Sequence, residues 1–380
     1  MRSKLPQSGT TIFTVMNELA AKHKAINLGQ GFPDFPMDEA LIEGVHKAMK
    51  DNLNQYTHMN GYPLLRERIA EKIAALYSVQ VHPDKNITIT PGGTYALYTA
   101  ITALVHPGDE VIVFEPAYDS YTPTIEINGG RAVSIPLSYP DYTIPWDVVR
   151  SKINDKTRAI ILNSPHNPTG AVLTENDMRT LEAVIQDTDI MIISDEVYEH
   201  LVFNGLPHES VLKYPGLAAR SFAVYSFGKV YNCTGWKLGY VVGPDEWMKE
   251  FRKIHQFNCF TCNTPMQVAL ADFLAVPEAY TQLAKKMQAQ KEKLEGFMKA
   301  TRFSPMKSNG SYFQLYSYNA MSKESENDFA VKLIQTAGVA TIPVAAFYRN
   351  PPNHHVLRFC FCKKDEVLEE AANKLAMAGY

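Results

Sequence analysis

The chain has 380 residues, of which 46% are hydrophobic and 20% charged, with a net charge of -3. That length can bury a large core and predicts two domains, and the near-neutral charge offers nucleic acid no electrostatic footprint. No lysine or arginine block invites an anionic membrane surface, and no run approaches the ~18 apolar residues needed to span a bilayer.

The first residues, Met1 to Pro6, lack the apolar stretch of a secretory leader, so none is expected. Residues 1–30 have no strong periodicity and read as an arm that packs with a small domain. From 31 to about 280, short β-branched runs alternate with helical stretches. The strand candidates are 87–90, 111–114, 132–137, 159–163, 190–194, 222–227 and 238–242, and the helical stretches include 94–105 and 175–186. Several strand candidates are continuously apolar, which marks strands buried on both faces of a largely parallel sheet. This rhythm predicts an α/β fold with a seven-stranded, mostly parallel sheet. Beyond 280 the texture changes. Residues 280–300 are rich in Lys, Gln, Glu and Ala and predict a long exposed helix. A smaller α+β domain over 281–380 is expected to follow, with elements near 310–318, 329–338, 356–362 and 364–377.

Five cysteines form an odd, sparse set, which points to a reducing, cytoplasmic compartment. Cys259 and Cys262 have C-x-x-C spacing and Cys360 lies close to Cys362, but no second C-x-x-C completes a metal site. They read as small buried apolar groups.

In an open parallel sheet, ligands bind beyond the carboxyl ends of the strands, and the unusual residues of this chain gather there. After 87–90 come Gly92, Gly93 and Thr94 at a helix start, where exposed amides suit an anion; an ordinary tight turn is the alternative. After 111–114 comes Tyr118, an aromatic that can stack on a planar ring or simply pack. The segment 163–170 holds Asn163, Pro165, His166, Asn167 and Pro168 in one rigid turn, from which Asn167 can donate to a phenolate oxygen. Asp195 closes an apolar strand, where a carboxylate is costly unless paired with a cation; His166 and a ring nitrogen are both candidates, and a helix cap is the plainer reading. Ser226 lies near the end of the sixth strand candidate, and Lys229 and Lys237 follow it among glycines. A lysine held there suits a Schiff base, and the flanking hydroxyl and cation suit a phosphate. Arg358 stands inside an apolar run, where its fork matches a carboxylate; a structural salt bridge is the alternative.

Taken in order, the motifs at 27–34, Gln55-Tyr56, Gly92-Gly93, Asn167-Pro168, Asp195 to Tyr198, the Lys229 segment and Arg358 resemble the class I/II aminotransferases of the aspartate aminotransferase fold (fold type I), which use pyridoxal 5′-phosphate (PLP). Ser226 to Lys229, Ser164 to Asn167 and Trp236-Lys237 resemble the branch of methionine aminotransferases, kynurenine aminotransferases and glutamine transaminase K. The resemblance implies a covalent aldimine between PLP and Lys229, with Asp195 on the pyridinium nitrogen. It implies Asn167 and Tyr198 on the 3′ oxygen and Tyr118 stacked on the ring. Gly93, Thr94, Ser226 and Lys237 would hold the phosphate, joined by Tyr56 from the second subunit of a homodimer. Arg358 would bind the substrate carboxylate with Asn167 and the backbone at Gly31. Lys237 stands where many members carry arginine, and Gly228 where many carry serine.

The expected reaction is ping-pong transfer of an amino group to a 2-oxo acid, with Lys229 as proton carrier. Ile12, Phe13, Phe32, Tyr56, Phe260 and Phe347 suggest an apolar pocket, and no second arginine is evident for a dicarboxylate. Methionine, phenylalanine, tyrosine and kynurenine are the expected donors, with glutamine as a further one. The alternative on this fold is a PLP-dependent carbon–sulfur β-lyase. A PLP-binding transcription regulator would need a DNA-binding region ahead of 27–34, and no room for one is expected.

Overall fold

The computed structural model describes residues 3–6 and 9–380, so the arm expected over 1–30 lies partly outside the described residues. The seven apolar runs form one sheet: β1 (Ile87–Thr90), β2 (Glu110–Glu115), β3 (Arg131–Pro136), β4 (Thr157–Asn163), β5 (Met191–Asp195), β6 (Ser221–Ser226) and β7 (Gly239–Val242). Their order across the sheet is β1-β7-β6-β5-β4-β2-β3. Only β7 runs antiparallel to its neighbours. The expected seven-stranded, mostly parallel sheet is therefore borne out. Every residue of β1, β2, β5 and β7 is buried, as strands covered on both faces must be. Each fully buried Val, Ile or Leu stabilises the sheet by about 1.5–3 kcal/mol.

The chain leaves β1, lays β2 and β3 at the far edge, then returns for β4. That reversal opens a crevice at the carboxyl ends of the strands. The N-terminus of helix Gly93–Leu104 points into the same region. Gly92 has φ +88, a left-handed conformation that glycine adopts without strain, and no side chain caps the helix.

A second, antiparallel sheet is formed by β8 (Ser304–Pro305), β9 (Phe313–Ser317), β10 (Ile342–Pro343) and β11 (Val356–Cys360), in the order β10-β11-β9-β8. Ile26–Asn27 pairs in parallel with Val339–Ala340 as a separate two-stranded sheet, and the Cys360 amide of β11 donates to the Leu28 carbonyl at 2.7 Å, tying the N-terminal segment to the second sheet. Helix Ile12–His23 precedes it, capped by Thr11, whose Oγ1 accepts from the Thr14 amide at 3.3 Å. The sequence reading found no periodicity here because the helix buries only Met16 and Ala20. The expected exposed helix over 280–300 divides into Glu278–Thr281 and Leu283–Met298. It is less exposed than its composition suggests, because Met287, Leu294 and Met298 face the core.

Candidate active site

A cavity of about 250 Å³ opens where β4, β5, β6 and helix Gly93–Leu104 converge. Gly93, Thr94, Tyr118, Asn167, Asp195, Tyr198, Ser226, Lys229 and Lys237 all line it. Gly31 and Arg358 join it through hydrogen bonds. Tyr56 does not: it is 82% exposed in this chain and packs edge-on against Phe260 at 5.5 Å.

Lys229 lies one turn into the short helix Phe227–Val230 that follows β6. Its Nζ donates to the Gly31 carbonyl at 3.0 Å, and Tyr312 bonds its backbone carbonyl. Burial lowers the Lys229 ammonium to about 8, so a neutral, nucleophilic amine is accessible near physiological pH. Gly31 must be glycine, because an added Cβ would meet the Phe313 ring at 2.5 Å.

Asp195 ends β5 almost fully buried. Its Oδ2 accepts from Tyr121 Oη at 2.5 Å and its Oδ1 from the Val197 amide at 3.3 Å. Burial pushes its carboxyl up to about 6, against the pull of Tyr121 and Val197. Among the described residues no cation forms an ion pair with it. His166, the alternative partner, instead faces Thr169, with Nδ1 2.7 Å from Oγ1, and burial lowers it to about 4. Tyr198 is also buried and packs edge-on against Tyr312 at 5.2 Å. Tyr118 meets Thr94, oxygen to oxygen, at 3.2 Å, and packs edge-on against Tyr121 at 5.7 Å.

Asn167 is braced by Asn163, whose Oδ1 accepts the Asn167 amide at 2.8 Å. Its Oδ1 accepts from Arg358 Nη1 at 2.7 Å, which leaves Nδ2 as the free donor. Arg358 sits mid-strand in β11 at 1% exposure. Its Nη2 donates to the Gly29 carbonyl at 2.6 Å, and its Nε is buried without a partner. The guanidinium lies 3.9 Å from the Phe313 ring centre, with Phe13 at 5.2 Å and Phe347 at 5.3 Å. Burial lowers it to about 10, yet it remains charged at neutral pH. It makes no salt bridge among the described residues, so the plainer reading of a structural ion pair fails. A buried guanidinium with spare donors calls for an anion.

Three features of this cavity fit PLP. Asp195 is a buried carboxylate that makes no ion pair among the described residues, a partner that a protonated ring nitrogen would supply. The uncapped helix start at Gly92 and Gly93 is an anion site with Lys237 alongside. Its Cε lies 3.8 Å from where a Cβ on Gly92 would stand, and a Cβ on Gly93 would press on Val197 at 2.9 Å. Lys229 is an amine suited to an aldehyde. Sequence reasoning missed Tyr121 and the Gly29 carbonyl, and placed Asn163 in the turn without its role as the brace of Asn167. The one signal for Tyr121 was its place three residues after Tyr118, one turn on.

Comparison with known proteins gives a coherent picture. The family model for aminotransferase class I and II matches residues 23–375. A methionine aminotransferase of Escherichia coli (strain K12) is 45% identical over 375 residues, covering 98% of this chain and 97% of that protein. Kynurenine–oxoglutarate transaminase 3 of Rattus norvegicus is 34% identical, covering 95% and 86%. The solved structure of YbdL from Escherichia coli, for which a methionine aminotransferase function is identified, superposes with a TM-score of 0.97 at 44% identity, covering 99% of both chains.

Proposed function

Because the chain belongs to the class I and II aminotransferases, PLP-dependent enzymes that move amino groups, we propose that methionine is its main donor, with phenylalanine, tyrosine, kynurenine and glutamine as further donors, and a 2-oxo acid its acceptor. The observation that carries this reading is the Arg358 fork among Phe13, Phe313 and Phe347. One cation serves one carboxylate, and the surrounding wall is aromatic. The cations lining the cavity itself are Lys229 and Lys237, so a distal carboxylate would be desolvated without a partner.

When bound, the cofactor supplies an aldehyde carbon for the amine and a ring that accepts electrons. Asp195 would hold the ring nitrogen protonated. Asn167 Nδ2 and Tyr198 would hold the 3′ oxygen, and Tyr118 would cover the ring. Gly93, Thr94, Ser226 and Lys237 would hold the phosphate, with Tyr56 reaching across from the second copy in a homodimer. Arg358, Asn167 and Gly31 fix the substrate carboxylate. Lys229 Nζ would take the substrate α-proton, and its lowered basicity keeps a share of it neutral for that task.

We divide the chain into a cofactor-binding domain, 31–280, and a carboxylate-binding domain, 281–380, with the arm 1–30 attached to the latter. Pairing of Ile26–Asn27 with Val339–Ala340 supports that attachment. Five free cysteines suit a reducing cytoplasm, and no helix among the described residues is long and apolar enough to cross a membrane. A panel of amino donors against several 2-oxo acids tests the proposal. Methionine is expected to exceed aspartate in kcat/KM by roughly 10²-fold, the effect of one unpaired buried charge. Preference for aspartate would overturn it.

A further inference from the structure

The pair Cys259 and Cys262 plays no part in the reaction described above. It lies between helices Asp245–Asn258 and Thr264–Leu274. Between the two cysteines the chain reverses sharply. The Thr261 amide donates to the Cys259 carbonyl at 2.9 Å, an i to i+2 bond, and Phe260 at its centre has φ +69. That combination is a γ-turn of the rare, strained kind, and strain of this sort persists where function uses it. The Phe260 ring, 45% exposed, packs against Tyr56. Cys259 is half-buried, whereas Cys233, Cys262, Cys360 and Cys362 are buried. The Cys262 thiol beside it lowers the Cys259 thiol, which favours Cys259 as the attacking sulfur. Among the described residues no cluster of three His, Cys, Asp or Glu could hold a metal, so a metal site does not account for the pair.

We propose that Cys259 and Cys262 form a reversible disulfide under peroxide, and that closing it resets the Phe260 turn and withdraws Tyr56 from the phosphate it serves. In the balanced reaction, the Cys259 thiolate attacks one oxygen of hydrogen peroxide, the O–O bond breaks, and one water leaves as a sulfenic acid forms. The Cys262 sulfur then displaces the second water. Two thiols lose two protons and two electrons, and the peroxide takes both. A dithiol reductant reverses the change. Closing the bond removes both thiol hydrogens, so the Cys262 sulfur no longer donates to the Ile89 carbonyl, 3.7 Å away, nor the Cys259 sulfur to the Thr261 carbonyl, 3.4 Å away. The turn that carries Phe260 therefore loses both of these sulfur braces.

The effect on the cofactor rests on the reading of Tyr56 above, so the experiment separates the two. Purified holoenzyme is treated with hydrogen peroxide, thiols are counted after denaturation, and PLP release is followed by absorbance. Two of the five thiols should disappear. The loss should map to a peptide two hydrogens lighter that contains both cysteines, and dithiothreitol should restore it. PLP release should quicken about tenfold, the effect of one lost hydrogen bond to a charged group. Cys259→Ser and Cys262→Ser should each abolish both responses. Tyr56→Phe in the reduced enzyme is the control. If Tyr56→Phe quickens release and oxidation does not, the proposal fails; retention of all five thiols, or a bridge at any other pair, overturns it as well. If Tyr56→Phe leaves release unchanged, the phosphate reading of Tyr56 fails, and with it the proposed effect on the cofactor.

Discussion

Asp195 and Arg358 are both charged groups buried on strands, but their neighbourhoods differ. Asp195 closes a parallel strand, and its partners, Tyr121 and Val197, come from the same layered α/β unit. Arg358 lies mid-strand in the antiparallel sheet and borrows both acceptors from elsewhere, Asn167 from the turn after β4 and Gly29 from the N-terminal arm. Its Nε has none. The cofactor side of the cavity is thus complete within one packed unit. The substrate side forms only where three segments distant in sequence meet, and it keeps a donor in reserve.

The sharpest way to break this contrast is to remove the group between the two sides. Lys229→Ala should lower turnover by at least about 10⁴-fold, since nucleophile and proton carrier are lost together. The visible absorbance of the lysine-linked cofactor should vanish too. Steady-state assays with absorbance spectra check this, and near-normal turnover would remove the basis of the site.

Arg358→Met addresses the substrate side alone. Loss of a buried charged fork should lower kcat/KM for methionine by roughly 10²–10³-fold, mainly through KM. Cofactor absorbance should be unchanged. Thermal stability should hold or rise, because a buried cation without a carboxylate is not a net stabiliser. Kinetics and a melting curve on the same preparation test both halves of this prediction. A large fall in Tm would mean that Arg358 is chiefly a structural bridge between segments.

The same asymmetry governs what could be read from sequence. The seven strands were legible because parallel strands covered on both faces are continuously apolar, and their ends moved by no more than two residues. Residues at their carboxyl ends stood out because polar groups are unusual there. Helix Ile12–His23 was not legible, since two small buried contacts leave almost no period. Tyr121 was not legible either. Its ring is ordinary core, and only the three-dimensional approach of its hydroxyl to Asp195, 74 residues away, gives it a role. The Gly29 carbonyl that receives Arg358 has no sequence signature at all, because any residue supplies a carbonyl.

Tyr121→Phe gives the smallest effect and the finest probe of the cofactor side. Burial raises the Asp195 carboxyl from 3.8 to about 6, and the Tyr121 hydrogen bond pulls it back down. A carboxyl raised in the folded state favours its protonated form. In the cofactor-free protein its contribution to stability is present below pH 3.8 and lost as the pH rises through about 6. Cofactor retention has the opposite sign, because pairing with a protonated ring nitrogen needs the carboxylate, so retention should weaken as the pH falls through about 6. Phenylalanine removes the hydroxyl and keeps the ring packed on Tyr118. The Asp195 carboxyl should then rise further, and the midpoint of cofactor loss should move to higher pH by about one unit, a factor of about ten in affinity at the steepest point. Cofactor release measured from acid to neutral pH in both proteins checks this. Arg358→Met, on the other side of the cavity, should leave that midpoint where it is. If Tyr121→Phe leaves the midpoint unmoved, the hydroxyl does not tune Asp195, and the cofactor side rests on the strand end and the Val197 amide alone.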